Sequence, residues 1–219
     1  MPKRDPLPVT DAIYHVFNRG VEKRDIFLNR RDYKHFLETL GHYYRGAAIK
    51  LSRKFKQTLK EPISNRAPLV EILAFCLMPN HFHLLLRQKE EGGISNFMRL
   101  VCDSFTRYFN IKNERLGPLF QGAFKAVLVE SDEQLLHVSR YIHLNPLIAN
   151  VAKDLNDYLW SSYPAYIGLE PKEWREIVPL DNQMILSQFS SNKNYEEFVR
   201  DQISYANSIE EIKHHRIDD

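Results

Sequence analysis

The sequence predicts an α+β fold in which helices pack on a mostly antiparallel sheet. Strand-like and helix-like segments alternate along the chain, and two apolar runs on either side of Pro79-Asn80 form one predicted β-hairpin. The chain contains no glycine-rich loop of the kind that opens a nucleotide-binding parallel sheet. Together these observations favour an antiparallel sheet covered by helices over a parallel α/β arrangement.

Side-chain periodicity places each predicted element. Residues that alternate between apolar and polar predict strands, and apolar residues at helical spacing predict helices. In chain order we predict a strand at 12–17, a helix from 29 or 30 to 45, a hairpin of strands at 69–78 and 81–87, a helix at 94–112, a strand at 123–130, and a helix that contains Tyr141. Ser131 or Asp132 is the predicted N-cap of this last helix.

Charge divides the chain into two predicted domains, at residues 1–167 and 168–219. From Glu170 to Asp219 the sequence holds six Lys or Arg against eleven Asp or Glu, a net charge of −5. Because the whole chain carries +2, the remainder carries +7. Helical spacings between residues 184 and 205 predict that the acidic region is a mainly helical C-terminal extension.

Composition excludes several classes of protein. No apolar run approaches the roughly 18–20 residues of a membrane span, and the first residues lack the hydrophobic core of a secretion signal. Cys76 and Cys102 lie in apolar contexts without CxxC spacing, which indicates reduced core cysteines rather than a zinc site. We therefore expect a cytoplasmic protein that does not bind a membrane.

His81 and His83 are the most informative residues of the sequence. In a strand, side chains at i and i+2 point to the same face, so both imidazoles would project together while Phe82 and Leu84 point to the other face. Two imidazoles held close on a rigid strand can chelate a divalent metal. The alternative is a pair of ordinary half-buried histidines, and this segment alone supports the two interpretations equally.

Tyr141 and Asn145 form a second pair, on the predicted helix that follows the last strand. Residues four apart share one helix face, so a phenol and a carboxamide would lie side by side. A phenol can attack phosphorus, and an amide oxygen can complete a metal site with two histidines. The alternative is a tyrosine that packs on the sheet and an asparagine that caps the helix. Pro146 predicts that the helix bends or ends at Asn145.

Together these segments resemble the single-tyrosine HUH transposases, and more closely their REP-associated tyrosine transposase branch. The resemblance covers about the first 165 residues and is carried by five blocks, at 14–20, 78–83, 117–122, 140–146 and 160–163. The family pattern is His-hydrophobic-His on a strand, followed by Tyr and an amide ligand four residues apart on a later helix. It maps onto His81, His83, Tyr141 and Asn145. Many relatives carry Gln at the last position, and Asn is one methylene shorter.

The resemblance implies a ferredoxin-like (RRM-like) sheet with the histidines on a central strand. It implies that His81, His83 and Asn145 hold Mg²⁺ or Mn²⁺, and that Tyr141 attacks the scissile phosphate to leave a 3′-hydroxyl and a 5′-phosphotyrosine. The implied substrate is single-stranded DNA with a hairpin or inverted repeat, and the implied state is a monomer or homodimer on DNA. The sequence does not identify the group that accepts the phenol proton: His137 and His143, close to Tyr141 on the same helix, are candidates, but a structural role is favoured for both.

A basic segment at 45–66 is a candidate DNA-binding region, with seven Lys or Arg against one Glu. Its cations can follow phosphates and neighbouring aromatic rings can stack on bases, although a solvated loop has the same composition. Other candidates fall in or near the blocks of the resemblance. The predicted DNA-binding residues are Arg19, Lys50, Arg53, Lys54, Lys56, Arg107, Arg115, Gln121 and Lys125.

Two other functions are compatible with the sequence. One is a catalytically idle DNA-binding regulator of the same fold, although all four predicted site residues are chemically competent. The other is a metallohydrolase that activates water on the two histidines. Such enzymes usually place carboxylate ligands near their histidines, and no Asp or Glu lies between Glu71 and Glu90.

Overall fold

This computed structural model describes residues 9–44, 67–169 and 171–202, which contain four strands, six α-helices and two short 3₁₀ helices (Val21–Lys23 and Leu155–Asp157). The elements are β1 (Ile13–Arg19), α1 (Arg30–Tyr43), β2 (Val70–Met78), β3 (His81–Gln88), α2 (Gly93–Lys112), β4 (Lys125–Val129), α3 (Asp132–Ile148), α4 (Tyr163–Tyr166), α5 (Gln183–Leu186) and α6 (Asn192–Arg200). Within these ranges, none of the helices combines the length and the apolar character that a membrane span requires.

The four strands form one antiparallel sheet in the order β2-β3-β1-β4. The predicted turn at Pro79-Asn80 joins β2 to β3, so the hairpin prediction is confirmed. Through β4, the elements follow the order β-α-β-β-α-β, which is the order of the ferredoxin-like motif. The predicted α+β class, with helices on a largely antiparallel sheet, is confirmed.

Helices cover both faces of the sheet. On one face, α1 and α2 pack against fully buried strand residues such as Val16, Phe82 and Leu84. On the other face, α3 packs mainly on β2. Cys76 of β2 and Ile142 of α3 both belong to a second core. Because side chains alternate along a strand, the odd-numbered residues of β3 share the face that α3 occupies.

The start of α3 agrees with the sequence prediction, whereas its end does not. Ser131 Oγ accepts a hydrogen bond from the backbone N–H of Gln134 at 3.1 Å, which confirms Ser131 as the N-cap. The sequence predicts that the helix bends or ends at Asn145, and it does not end there, because α3 continues through Pro146 to Ile148. Proline removes one helical N–H, while a backbone hydrogen bond from residue 149 to the Asn145 carbonyl holds the last turn.

The C-terminal segment is built into the core of the protein. Residues 160–162 and 180–181 hydrogen-bond to the outer edge of β2 and so cover it. Trp174 belongs to the core beneath α1 and α2, and Tyr195 of α6 belongs to the core beneath α3. Among the described residues after 170, helix α5 is four residues long and helix α6 is nine residues long. The predicted domain boundary at residue 167 stays a prediction.

Candidate active site

His81 and His83 lie side by side on β3, an inner strand of the sheet. Their ring centroids are 4.9 Å apart, and the two rings are nearly perpendicular, at 89°. His83 is opposite Phe17 of β1 and is only 6% exposed, while His81 is half-buried at the first position of its strand. The prediction that the two histidines share one face of an inner strand is confirmed, whereas the expectation that both are exposed there is wrong for His83, which is buried.

Tyr141 of α3 stands next to this pair. Its ring meets the rings of His83 and His15 edge-on, with centroid distances of 5.5 Å and 5.8 Å. The side chain is 47% exposed, so an incoming substrate can reach it. Of the tyrosine rings in the described ranges, only that of Tyr141 contacts these histidines. The tyrosine therefore lies at the histidines of its own chain.

An open cavity of about 480 Å³ brings these side chains together. Its lining residues are Phe17, Asn18, Arg19, His81, His83, Gln121, Ala123, Lys125 and Tyr141. Arg19 and Lys125 give the cavity a positive charge, and no carboxylate is among the described residues that line it. A cationic, solvent-open cavity is suited to the phosphates of a nucleic acid.

Burial keeps the histidines of the site neutral. It lowers the pKa of His81 to about 4, together with a smaller contribution from the nearby Arg19 guanidinium. Burial also lowers the pKa of His83 well below 6.5, with smaller contributions from His81 and His15. The pKa of His15 falls to about 4 for the same reason. Neutral imidazoles keep the lone pairs that a metal requires.

We expect the protein to lose stability as the pH falls from about 6.5 towards 4. The pKa values of His15 and His81 in the folded chain, about 4, lie below the unfolded value of 6.5, so the unfolded chain binds more protons in this interval. Each such group contributes a slope of at most about 1.4 kcal/mol per pH unit. Urea unfolding at pH 7, 6 and 5 measures this slope. His81→Asn should make it shallower, and an identical slope in this variant would contradict the expectation.

Asn145 is the predicted metal ligand that lies outside the described lining of the cavity. It is 9% exposed, and its Nδ2 donates a hydrogen bond to the backbone carbonyl of Tyr141 at 2.7 Å. The amide oxygen is therefore the side-chain atom left to bind a metal. Asn145 is not among the described residues that line the cavity. Its role as a third ligand stays a prediction.

The donor set of the site nevertheless fits a divalent metal. Two neutral imidazoles and one carboxamide oxygen are ligands that Mn²⁺ accepts, whereas Mg²⁺ prefers oxygen ligands and would rely on water and on phosphate oxygens of the substrate. Within the described ranges, no group of three or more His, Cys, Asp and Glu side chains is arranged to hold a metal. Asn145, water and the substrate would therefore have to complete the coordination of an ion at His81 and His83.

The predicted DNA-binding residues separate into three groups. Those that line the cavity are Arg19, Gln121 and Lys125. Arg107 is exposed on α2, which covers the opposite face of the sheet, and Arg115 donates a hydrogen bond to Asn110 Oδ1 at 2.8 Å. Those that lie outside the described residues are Lys50, Arg53, Lys54 and Lys56. A DNA contact at each of these residues stays a prediction.

The sequence does not single out His15, although the structure places it in the site. His15 Nε2 lies 2.9 Å from His83 Nδ1, and the two rings stack with centroids 5.0 Å apart. The alternation of residues 12–17 is visible in the sequence. Only the register of β1 against β3, however, shows which alternate residues share a face with His83.

The two candidate proton acceptors, for which a structural role is the favoured interpretation, are held by other side chains. His143 is fully buried, and its Nδ1 and Nε2 each lie 2.7 Å from a hydroxyl, of Tyr195 and Ser162 respectively. His137 Nδ1 lies 2.5 Å from Arg140 Nη2. Neither histidine is among the described residues that line the cavity.

The buried contacts of His143 fasten α3 to the C-terminal helix α6, and Tyr195→Phe should weaken this attachment. The Tyr195 hydroxyl lies 2.7 Å from His143 Nδ1 and 3.1 Å from Ser139 Oγ, and all three side chains are fully buried. Without the hydroxyl, buried polar groups lose their partner, so we expect the free energy of unfolding in urea to fall by about 1–3 kcal/mol. Tyr163→Phe is the matched control, because it removes a buried hydroxyl that is hydrogen-bonded to neither His143 nor Ser139. Equal losses in the two variants would contradict this account.

Comparison with protein families identifies the chain. The model of the family described as "Transposase IS200 like" matches residues 9–145, which is more than half of the chain and includes His81, His83, Tyr141 and Asn145. The chain belongs to the IS200-like transposase family. The family resemblance found in the sequence is therefore confirmed.

Two known proteins are similar to this member of the family. A Haemophilus influenzae protein with the name "Putative REP-associated tyrosine transposase" is 25% identical over 116 residues. The match covers 48% of this chain and 66% of that relative, just under two thirds of its length. A solved structure, described as a REP-associated tyrosine transposase bound to a REP hairpin, matches with a TM-score of 0.54 and 18% identity. It covers 80% of this chain and 91% of the other, which shows a shared fold.

Proposed function

We propose that this IS200-like transposase is a metal-dependent single-strand DNA endonuclease and strand transferase that acts through a 5′-phosphotyrosine. One observation supports the proposal most directly: the Tyr141 ring lies 5.5 Å from the His83 ring in a cationic cavity. The same cavity thus contains a candidate nucleophile, two candidate metal ligands and cations that can bind phosphate. Phosphoryl transfer depends mainly on such positioning and on electrostatic stabilisation.

His81, His83 and the amide oxygen of Asn145 would hold the divalent ion in this mechanism. When bound, Mg²⁺ or Mn²⁺ stabilises the negative charge that develops on the phosphate oxygens in the transition state. Imidazole ligands suit Mn²⁺ better than Mg²⁺, so we expect faster cleavage with manganese. Asn145 would have to direct its amide oxygen towards the cavity to take part.

Tyr141 would be the nucleophile. Its phenolic oxygen forms a bond to phosphorus, the bond between phosphorus and the 3′-oxygen breaks, and the phenol proton is finally transferred to the released 3′-oxygen. The 5′-phosphotyrosine keeps the energy of the broken bond. A later 3′-hydroxyl can therefore rejoin the strand by the reverse exchange, without ATP.

Single-stranded DNA with a hairpin or inverted repeat is the proposed partner. Arg19 and Lys125 line the cavity and can bind the phosphates of a single strand. Phe17 also lines the cavity and can stack on an unpaired base. The solved relative is described as bound to a REP hairpin, and we propose a hairpin substrate for this chain as well. Because Tyr141 lies at its own histidines, a monomer or each subunit of a homodimer would hold a complete site on chromosomal DNA in the cytoplasm.

A catalytically idle DNA-binding regulator is the second candidate. It is favoured by one observation: Asn145 is hydrogen-bonded to its own helix and is absent from the described lining of the cavity. Such a protein would bind hairpin DNA through the same cations without cutting it. A hydrolase that activates water is less consistent with the site, because no carboxylate is among the described lining residues.

A cleavage assay separates these functions. The substrate is an end-labelled oligonucleotide that carries an inverted repeat from the DNA beside the gene, together with its single-stranded flank. With Mn²⁺ we expect one fragment with a free 3′-hydroxyl and a second fragment covalently bound to the protein, whereas the fully duplex form of the same sequence stays intact. Binding without any cleavage would favour the regulator. A free 5′-phosphate without a covalent product would favour the hydrolase.

A further inference from the structure

We propose that His15 is a positioning residue whose Nε2 accepts a hydrogen bond from the Nδ1–H of His83 and thereby leaves Nε2 of His83 free to bind a metal. The inference rests on the proposed function, because it concerns a candidate ligand of that site. Its basis is the 2.9 Å distance between His15 Nε2 and His83 Nδ1, together with the stacking of the two rings. The proposed nucleophile and the ligand set do not include His15.

The direction of this hydrogen bond decides whether His83 can bind a metal. A neutral imidazole has one N–H and one lone pair, so one ring of the pair must donate and the other must accept. If His83 Nδ1 donates, its Nε2 holds the free lone pair. If His15 donates instead, His83 carries its proton on Nε2 and cannot bind a metal through that atom. Only the first arrangement is compatible with the proposed chemistry.

The position of His15 on β1 suits this role. His15 lies opposite Leu85 of β3 and Val127 of β4, so strands on both sides hold its backbone in place. The neighbouring Phe17 lies directly opposite His83, and the centroids of the His15 and Phe17 rings are 5.0 Å apart. A fixed partner on the second nitrogen orients a metal-binding histidine and sets its tautomer. The partner of His81 is of a different kind. Its Nδ1 lies 2.6 Å from Asn80 Oδ1, and this amide oxygen can only accept a hydrogen bond, so His81 must donate.

The two histidines of the proposed site thus use their Nδ1 atoms in the same way. Asn80 Oδ1 accepts from His81, and His15 Nε2 accepts from His83. Both rings then keep Nε2 as the atom for a metal. The amide oxygen fixes the tautomer of His81 by its chemistry, whereas His15 can both donate and accept, so the tautomer of His83 is the informative one to measure.

Nitrogen NMR of the histidine side chains in the metal-free protein tests the tautomer directly. We expect His83 to carry its proton on Nδ1 in the wild type. In His15→Phe, which keeps a ring but removes the acceptor, the proton should move to Nε2. In His15→Gln, whose amide oxygen can take the place of Nε2, the Nδ1–H form should persist. A wild-type His83 protonated on Nε2 would overturn the proposal, even if no variant can be purified.

Titration with Mn²⁺ provides the second measurement. Loss of such an outer partner typically weakens metal binding by about 10–100-fold, so we expect His15→Phe to bind at least about tenfold more weakly. His15→Gln should stay within a few fold of the wild type. His42→Phe is the matched control, because His42 is exposed at the end of α1. Equal losses in His15→Phe and His15→Gln would overturn the proposal, since they would indicate that His15 binds the ion itself or only packs.

A wrong proposed function and a wrong role for His15 would give different experimental results. If the wild type binds no Mn²⁺ and leaves hairpin DNA uncut, the proposed function fails, while the tautomer of His83 in the metal-free protein is still measured. If the wild type binds Mn²⁺ and His15→Phe binds it equally well, the role of His15 is wrong and the proposed function stands.

Discussion

His81→Ala and His83→Ala should each lower manganese-dependent cleavage of hairpin DNA by more than about 100-fold. Even the outer partners of a metal site are typically worth about 10–100-fold, and these residues are the proposed ligands themselves. DNA affinity should stay within a few fold of the wild type, because phosphate and stacking contacts are spread over the surface. Initial cleavage rates and gel-shift affinities, measured across a range of Mn²⁺ concentrations, check both expectations.

His42→Ala is the control for the two ligand variants. Its side chain is exposed at the end of α1, on the opposite layer from the site, so cleavage should be unchanged. Full cleavage by both His81→Ala and His83→Ala would exclude the histidines as ligands. A parallel loss of cleavage and of DNA binding would instead indicate that the histidines shape the DNA-binding surface.

Tyr141→Phe should abolish the covalent protein–DNA product completely. The substitution removes one oxygen from a half-exposed ring, so the fold and the edge-on contacts with His15 and His83 should persist. We expect the free energy of unfolding and the hairpin affinity to stay close to the wild-type values. Denaturing gels report the covalent product, and urea unfolding and gel shifts report the other two quantities.

Tyr108→Phe is the informative control for the nucleophile. The Tyr108 hydroxyl donates to Asp32 at 2.9 Å between α2 and α1, on the other side of the sheet from the cavity. This variant should keep the covalent product and lose some stability, because a buried carboxylate loses a donor. If Tyr141→Phe still trapped DNA and Tyr108→Phe did not, the assignment of the nucleophile would be wrong.

The sequence was sufficient to predict the sheet and the side of the strand that the histidines share. Alternation in β3 and helical spacing in α1 and α2 follow directly from which side chains must be buried. Helical spacing of apolar residues likewise predicts that Tyr141 lies on a helix after the last strand. Its closeness to His83 depends on how α3 packs on the sheet, which periodicity within one element does not specify.

Other features depend on contacts between segments far apart in the chain. His15 belongs to the site because of the register of β1 against β3, and a register shift of one residue would turn it away. Tyr195 reaches His143 across 52 residues, so the predicted outer extension contributes to the core beneath α3. At Pro146 the helix continues for two more residues, although proline lacks the N–H of one helical hydrogen bond.

The most direct test of the central claim is peptide mapping of the covalent product. Wild-type protein is incubated with the hairpin oligonucleotide and Mn²⁺, digested with protease and nuclease, and analysed by mass spectrometry. The account predicts one modified peptide, with a nucleotide attached through its 5′-phosphate to Tyr141. Attachment at a different residue would contradict the assignment of Tyr141. Complete cleavage with no attached nucleotide would contradict the phosphotyrosine mechanism itself.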